Sequence, residues 1–214
     1  MSFDIRRMPA DSFFHQEVPY VDSTGLLSFL RESSFQSHLL LVGPTGLAKT
    51  LSVYAWAQEQ GYPVVEFSCS EEVRETHLIG SFGMEGDSTF FSLGVLPTAL
   101  SVANEMYANK GEVADGAVLL LNEVNALSPQ AQKMLNPMLD FQRTINAQAI
   151  GQSFQLDIGA KLWVVLTMNP NAYGGTYALN ADLMRRVQPI LLDYPTEEQE
   201  INVLTGLRLS AVAD

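Results

Sequence analysis

The sequence predicts an α/β fold in which a five-stranded parallel sheet is flanked by helices. Five short runs rich in Leu, Val, Ile and Phe are nearly continuous rather than alternating, which is typical of parallel strands covered on both faces. Helical patterns separate several of these runs. With 214 residues, 47% of them hydrophobic, the chain is long enough to bury one sizeable core.

The predicted strands and the first helix come directly from these runs. A helix is predicted over residues 49–60, which are dense in apolar residues and stop at Gly61, just before Pro63. The five predicted strands span residues 38–42, 63–68, 117–121, 162–168 and 188–194.

Two further helices are predicted in the second half of the chain. One begins at Ser128 with Pro129 in its first turn, and Pro137 is expected to kink or end it. The other follows Thr196, whose spacing to Gln199 is that of a capping box. Three apolar residues of this last helix are expected to face inward: Ile201, Leu204 and Leu207.

Two stretches interrupt the alternation of strands and helices. Residues 80–94 are rich in Gly, Ser and Phe, and residues 144–156 alternate around Gly151 as a β-hairpin would. Both stretches are interpreted as insertions into the α/β core.

Composition and charge exclude several classes of function. The 24 acidic residues against 12 Lys and Arg give a net charge of -12, which opposes broad binding to a phosphate backbone, so a nucleic-acid partner is not expected. No stretch approaches the roughly 18 apolar residues of a membrane span, and no signal-peptide pattern follows Met1. The single cysteine, Cys69, excludes a disulfide framework and fits a reducing compartment, so we expect a cytoplasmic protein.

The turn after the first predicted strand has the context of a Walker A phosphate loop. Its backbone N–H groups are expected to wrap a polyphosphate, Lys49 to reach the β and γ phosphates, and the Thr50 hydroxyl to bind Mg²⁺. The strict pattern has glycine where this chain has Ala48, so an ordinary turn with an exposed lysine is the alternative. The candidate binding residues are Gly43, Pro44, Thr45, Gly46, Leu47, Ala48, Lys49, Thr50 and Leu51.

Polar residues follow two other predicted strands, at the edge where ligands of open α/β sheets bind. Glu123 could polarise a water for attack on a γ-phosphate, although a glutamate that simply leaves a strand for solvent is the alternative. Asn169 could hydrogen-bond that water or the phosphate, unless Asn169-Pro170 is plain turn chemistry. Arg185 and Arg186 precede the last strand, where a cation near a helix end is the alternative.

In this order, these landmarks resemble those of the AAA+ ATPases, and more narrowly the MoxR and dynein-related branch. GPTGLAKT resembles that branch's Walker A, which commonly has alanine at the position of Ala48, and LLLNEVNALSPQAQ resembles its Walker B strand and following helix. TMNP is similar to sensor 1, and LNADLMRRV to the segment that carries the arginine finger. The 80–94 and 144–156 stretches match its helix-2 and pre-sensor-1 hairpin inserts. The resemblance covers about residues 23–205.

The resemblance implies a P-loop NTPase core that binds ATP and Mg²⁺. It assigns phosphate binding to Gly43, Gly46, Lys49 and Thr50, water activation to Glu123, and γ-phosphate sensing to Asn169. Arg186 aligns with the finger that acts on a neighbour's nucleotide in a ring, usually a hexamer, and Arg185 remains an alternative. Thr50 and Asn122 are the metal candidates. Because Asn122 replaces the family's aspartate, hydrolysis is expected to be more impaired than binding.

The domain boundaries follow from the same resemblance. Residues 1–22 precede the matching region and have little periodicity, so they are expected to be a poorly ordered extension. Residues 23–196 are expected to be the nucleotide-binding domain. Residues 197–214 are expected to be a C-terminal helix or the start of a helical lid that is otherwise absent or truncated.

The function expected from the resemblance is an ATPase whose homo-oligomeric ring remodels or assembles a protein partner, in this branch often a protein with a von Willebrand A-type domain. One alternative is a nucleotide-binding structural subunit that has lost hydrolysis, because of Asn122. The other is a DNA-dependent motor, since helix-2 inserts also occur in replicative helicases, and the net charge opposes it.

Overall fold

The computed structural model describes residues 4–14, 19–22, 24–109, 114–170 and 176–210, with side chains described up to residue 205. In these ranges the helices are α1 (Leu26–Ser33), α2 (Lys49–Gln60), α3 (Glu75–Leu78), α4 (Val95–Ala108), α5 (Pro129–Lys133), α6 (Asn136–Leu139), α7 (Ala181–Met184) and α8 (Glu197–Ser210). The strands are β1 (Asp4–Arg6), β2 (His38–Val42), β3 (Val64–Ser68), β4 (Gly80–Glu85), β5 (Ser88–Leu93), β6 (Gly116–Asn122), β7 (Thr144–Ala147), β8 (Gln152–Gln155), β9 (Lys161–Met168) and β10 (Val187–Leu191).

The central sheet has five parallel strands, as the sequence predicts, and the structure gives their order as β10-β2-β9-β6-β3. Its inner strands are buried on both faces, which explains their continuous apolar sequence. The α1 and α2 helices cover one face of the sheet, and α4 covers the other. On the first face, the ring centroids of Trp56 and Trp163 are 4.7 Å apart.

The last strand is shorter than the predicted run 188–194. It ends at Leu191, whose side chain is exposed, and Leu192 makes one more backbone bond to the oxygen of Val42. Beyond it, the amide of Tyr194 bonds the Asp193 side chain instead of a strand. The local turn therefore ends the strand.

The helix predicted from Ser128 is capped and interrupted as expected. The Ser128 hydroxyl accepts a hydrogen bond from the Ala131 amide, and the first segment ends at Lys133, with α6 following around Pro137. A proline ring clashes with the carbonyl four residues before it, and that residue is Lys133.

The 80–94 stretch is an antiparallel hairpin of β4 and β5, and β1 adds to it in parallel with β5. The expectation of poor order in residues 1–22 is therefore wrong for Asp4–Arg6, which pair with Phe90–Ser92, and for the buried Ala10. A three-residue strand is too short to show periodicity, and Arg6 is held by stacking 4.1 Å from the Phe90 ring.

The 144–156 stretch is the predicted hairpin. Strands β7 and β8 pair antiparallel, with Gly151 at a φ of 64° in the connection. The 144–156 hairpin packs beside α6, and the 80–94 hairpin packs beside α3.

Helix α8 begins with the predicted capping box, in which the Thr196 hydroxyl and the Gln199 side chain bond each other's backbone amides. The predicted inward faces are wrong, because Ile201 is 55% and Leu204 62% exposed. The helix lies beside the phosphate loop, where Leu204 borders a cavity, rather than on a face of the sheet. The side chain of Leu207 lies outside the described ones.

None of the helices in the described ranges carries an apolar stretch long enough to cross a membrane.

Candidate functional site

The loop between β2 and α2 has a backbone that only certain residues adopt easily. Gly46 has a φ of 90° and Ala48 a φ of 53°, both in the left-handed region that favours glycine. A Cβ at Gly43 would lie 2.8 Å from the backbone oxygen of Leu192. The left-handed backbone at Ala48 explains why the strict Walker A pattern has glycine at this position. In this chain alanine adopts the same backbone conformation.

Lys49 begins α2 and turns its ammonium group back over the loop. The Nζ atom donates to the backbone oxygens of Gly43 at 2.7 Å and Pro44 at 2.8 Å, and to Oδ1 of Asn169 at 3.0 Å. Burial lowers the pKa of Lys49, an effect that the Glu123 carboxylate opposes. The residue is 9% exposed, so the alternative of a turn with an exposed lysine is wrong.

Oxygen atoms converge beside Thr50, at the first turn of α2. The Thr50 hydroxyl donates to Oδ1 of Asn122 at 2.8 Å, and the Thr167 hydroxyl donates to the same oxygen at 3.2 Å. Hydroxyl and amide oxygens are ligands that suit Mg²⁺. The described part of the chain holds no group of three or more His, Cys, Asp or Glu residues placed to bind a metal ion.

Glu66 belongs to this group of polar residues and was missed by the sequence analysis. It lies on β3, the edge strand beside β6, and its Oε1 accepts a hydrogen bond of 2.5 Å from Nδ2 of Asn122. Its other oxygen accepts from the Tyr54 hydroxyl. The available signal was a carboxylate inside an otherwise apolar predicted strand.

Glu123 follows the last residue of β6 in a left-handed conformation, with φ 55° and ψ 46°. Such a backbone costs about 1–3 kcal/mol for a residue other than glycine and persists where neighbours enforce it. The Glu123 amide donates to the Thr167 hydroxyl at 3.2 Å, and Oε1 lies 3.5 Å from Nδ2 of Asn169. Asn125 in turn bonds the backbone oxygen of Asn169, so both residues are held at the strand ends.

These residues line one open cleft of about 540 Å³ at the carboxyl edge of the sheet. The predicted loop residues from Thr45 to Leu51 contribute to its lining, together with Glu66, Ser68, Asn122, Glu123, Thr167 and Asn169. The structure therefore brings together the predicted loop residues from Thr45 to Leu51, the predicted carboxylate and both predicted amides. The predicted residues Gly43 and Pro44 are not part of this lining and instead contact Lys49 through their backbone oxygens.

A second cavity of about 340 Å³ adjoins the phosphate loop and was also missed by the sequence analysis. It shares Gly46, Leu47 and Ala48 with the cleft, and α8 forms its other wall. Burial, together with Asp22, raises the pKa of Tyr20 to about 12, so its hydroxyl stays protonated. The remaining lining residues are Tyr20, Val21, Thr24, Pro195, Glu200, Val203 and Leu204.

The two arginines lie away from the cleft of their own chain. They directly precede β10, whose first residue, Val187, pairs with His38 at the start of β2, whereas the phosphate loop follows the end of β2. The separation along that strand is roughly 13 Å. Arg186 bonds the backbone oxygen of Asp182 at 2.6 Å and the Asp140 carboxylate at 3.2 Å, and Arg185 is exposed.

Comparison with known proteins connects this site to a family. Residues 38–187 match the AAA domain family of the dynein-related subfamily. The chain is 24% identical over 191 residues to the denitrification regulatory protein NirQ of Pseudomonas aeruginosa, covering 88% of this chain and 68% of NirQ. It is also 24% identical over 196 residues to protein CbbQ of Hydrogenophilus thermoluteolus, covering 91% of this chain and 68% of CbbQ.

Among solved structures, the chain is similar to an ATPase candidate from Cytophaga hutchinsonii. The TM-score is 0.62 at 22% identity, and the match covers 84% of this chain and 48% of that chain. This likeness supports the fold. The chain thus spans about half of the length of that protein.

Proposed function

This chain belongs to the dynein-related subfamily of AAA domains, among the MoxR-like AAA+ ATPases, and we propose that it binds and hydrolyses ATP to remodel or assemble a protein partner. One observation carries the proposal. Five residues from the carboxyl ends of two parallel strands and the start of one helix line the same cleft: Lys49, Thr50, Asn122, Glu123 and Asn169.

The phosphate loop supplies the binding step of the proposal. The backbone N–H groups at the start of α2 and the Lys49 ammonium provide positive charge where a polyphosphate would lie. Among the described residues, the acceptors of the Lys49 ammonium are three neutral oxygens, which leaves its charge available to a phosphate group.

The cofactor in the proposal is Mg²⁺, held by the oxygens of Thr50 and Asn122. Their side chains already meet at 2.8 Å, and an all-oxygen donor set fits this ion. When bound, Mg²⁺ neutralises charge on the transferring phosphate group.

Glu123 is the proposed general base, and Asn169 the residue that orients the attacking water. The Glu123 carboxylate takes a proton from the attacking water, and the water oxygen forms a bond to the γ-phosphorus. The bond between the γ-phosphorus and the oxygen that bridges it to the β-phosphate breaks, and its electron pair leaves with ADP. The 3.5 Å separation of Glu123 and Asn169 leaves both groups close enough to contact one water.

The cavity beside α8 is the proposed site of the adenine base. It opens from the phosphate loop and is lined by Tyr20, Val21 and Val203, which provide apolar surface for a flat ring. The base and phosphates would then lie in two connected spaces.

The position of the arginines supports a ring, for which a hexamer is our proposal from the family resemblance. The arginines lie at the amino-terminal ends of the parallel strands, whereas the cleft lies at the carboxyl-terminal ends. From this position they cannot reach the cleft of their own chain, but they can reach the cleft of a neighbouring copy. Arg186 is the proposed finger, and the exposed Arg185 is the alternative.

The proposed partner is a protein in the cytoplasm, with von Willebrand A-type proteins as one candidate class. The net charge of -12 fits a protein client better than a nucleic acid. The competing function is a structural subunit that binds ATP without hydrolysis, which Asn122 would favour.

The proposal is tested by measuring ATP binding and Mg²⁺-dependent hydrolysis of the parent, Lys49→Ala and Asn122→Asp. Lys133→Ala, which removes an exposed lysine on α5, is the matched control. We expect the parent and the control to bind and hydrolyse ATP, and Lys49→Ala to do neither. Hydrolysis that appears only in Asn122→Asp would favour the structural subunit, and absence of binding in the parent would contradict the proposal.

A further inference from the structure

A carboxylate on a neighbouring strand stands next to the position where this chain lacks one. Asn122 ends β6, and Glu66 lies on β3, which pairs with β6 in parallel. The Nδ2 atom of Asn122 donates to Oε1 of Glu66 at 2.5 Å. Glu66 also lines the cleft that contains Lys49 and Thr50.

The chemistry of this pair fixes the orientation of the Asn122 side chain. An ionised carboxylate only accepts hydrogen bonds, so the NH₂ group of Asn122 must face Glu66. The amide oxygen then faces the Thr50 and Thr167 hydroxyls, which both donate to it. Glu66 thereby directs an oxygen atom towards the first turn of α2.

Helix α2 contacts both members of the pair. Thr50 and Tyr54 are four residues apart and share one face of the helix. Thr50 bonds Asn122, and Tyr54 bonds Glu66, so two helix residues meet two strand residues. Burial and the bond to Glu66 raise the pKa of Tyr54, which keeps its hydroxyl a donor.

We propose that Glu66 is a positioning residue of the Mg²⁺ site, which supplies the negative charge that Asn122 lacks and holds the Asn122 amide oxygen towards Thr50. Together, Asn122 and Glu66 provide one oxygen beside Thr50 and one negative charge, as a single aspartate would. The inference rests on the proposed function, because it requires that a Mg²⁺–nucleotide complex binds in this cleft.

The test measures the affinity for a fluorescent ATP analogue with Mg²⁺ and with EDTA. The ratio of the two Kd values isolates the contribution of the metal from that of the phosphate loop. The variants are Glu66→Gln, Tyr54→Phe, and Glu66→Gln combined with Asn122→Asp. Glu32→Gln, which removes an exposed carboxylate on α1, is the matched control, and thermal melts verify that each variant is folded.

We expect Glu66→Gln to weaken the Mg²⁺-dependent part of the affinity by about 10- to 100-fold, the range for partners that orient metal ligands. The Kd in EDTA should stay at the parent value. Adding Asn122→Asp should restore the Mg²⁺ effect, because the aspartate carries both the charge and the oxygen. Tyr54→Phe keeps the carboxylate and should change the ratio less than Glu66→Gln.

An unchanged Mg²⁺ effect in folded Glu66→Gln would overturn the inference, and so would a loss that Asn122→Asp does not restore. A protein that binds no nucleotide with or without Mg²⁺ would instead contradict the proposed function. The two failures are therefore distinguishable.

Discussion

The ammonium nitrogen of Lys49 lies 3.0 Å from Oδ1 of Asn169. This hydrogen bond connects the first residue of α2 to the residue that follows β9. The same amide turns its nitrogen to Glu123 at a distance of 3.5 Å. Asn169 therefore stands between the cation that would hold the phosphates and the carboxylate that would activate water.

Replacing Asn169 by alanine should slow hydrolysis more than it weakens binding. Lys49 keeps its two backbone acceptors in the loop, whereas Glu123 loses its side-chain neighbour. We expect kcat to fall by about 10²- to 10³-fold, as for other single polar groups that act on the transition state. Steady-state phosphate release and the Kd for ATP check this, with Asn146→Ala on the β7–β8 hairpin as the control. An equal loss in Kd would assign Asn169 to phosphate binding alone.

Replacing Ala48 by glycine should stabilise the protein slightly. The φ of 53° is strained for alanine and relaxed for glycine, and this gain outweighs the greater entropy of the unfolded chain. We expect the free energy of unfolding to rise by about 0.5–1 kcal/mol. Gly46→Ala, at a φ of 90°, should do the opposite. Urea unfolding measures both, and a destabilised Ala48→Gly variant would contradict the account of the loop.

The arginine finger should act between two copies of the chain. Arg186→Ala should retain ATP binding and lose hydrolysis by about 10³-fold or more, the range for such fingers in related NTPases. Mixing Arg186→Ala with Glu123→Gln should recover activity, because a mixed interface has one intact base and one intact arginine. Arg31→Ala, on the exposed side of α1, is the control. Failure of the mixture, or full activity of Arg186→Ala beside an inactive Arg185→Ala, would reject Arg186 as the finger.

His38 should make the stability depend on pH. Burial, with a smaller effect of Arg143, lowers the pKa of His38 to about 4, whereas the unfolded chain has the ordinary value of 6.5. Between these values the unfolded state binds the extra proton, so this contribution to stability is present above pH 6.5 and is lost as the pH falls to 4. The loss is about 3 kcal/mol at about 1.4 kcal/mol per unit.

The His38 prediction is measured by urea unfolding between pH 4.5 and 7.5. His38→Asn keeps an acceptor for the Val164 amide, which bonds Nδ1 of His38 at 3.1 Å, but does not titrate. We expect a smaller loss of stability at low pH in this variant. Parallel pH profiles for the parent and the variant would show that His38 does not contribute.

The central sheet was predictable because each of its strands is a nearly continuous apolar run, and because glycine, proline or polar residues follow these runs and the helices between them. Lys49–Gln60 was predicted to the residue, since Gly61 and Pro63 mark its end. The β1 strand was not predictable, because its three residues are ordered by the edge of β5, which is distant in sequence. The exposed face of α8 was also missed, since its apolar residues follow a helical period without a sheet surface to pack on.

The site was predictable where its residues belong to local motifs. The phosphate loop, Glu123 and Asn169 each follow a strand end, and the topology of a parallel sheet brings such ends together. Glu66 and Tyr20 were missed because their roles depend on neighbours across strands and on α8, which no local pattern records. The left-handed backbone of Glu123 likewise depends on Thr167, from another strand.

The most direct test of the central claim is phosphate release by the parent and Glu123→Gln at saturating ATP and Mg²⁺, with ATP binding measured on the same samples. We predict that both proteins bind ATP with similar affinity and that Glu123→Gln releases phosphate at least about 10²-fold more slowly than the parent. Equal rates in the two proteins, or binding without any release by the parent, would contradict an ATPase whose base is Glu123.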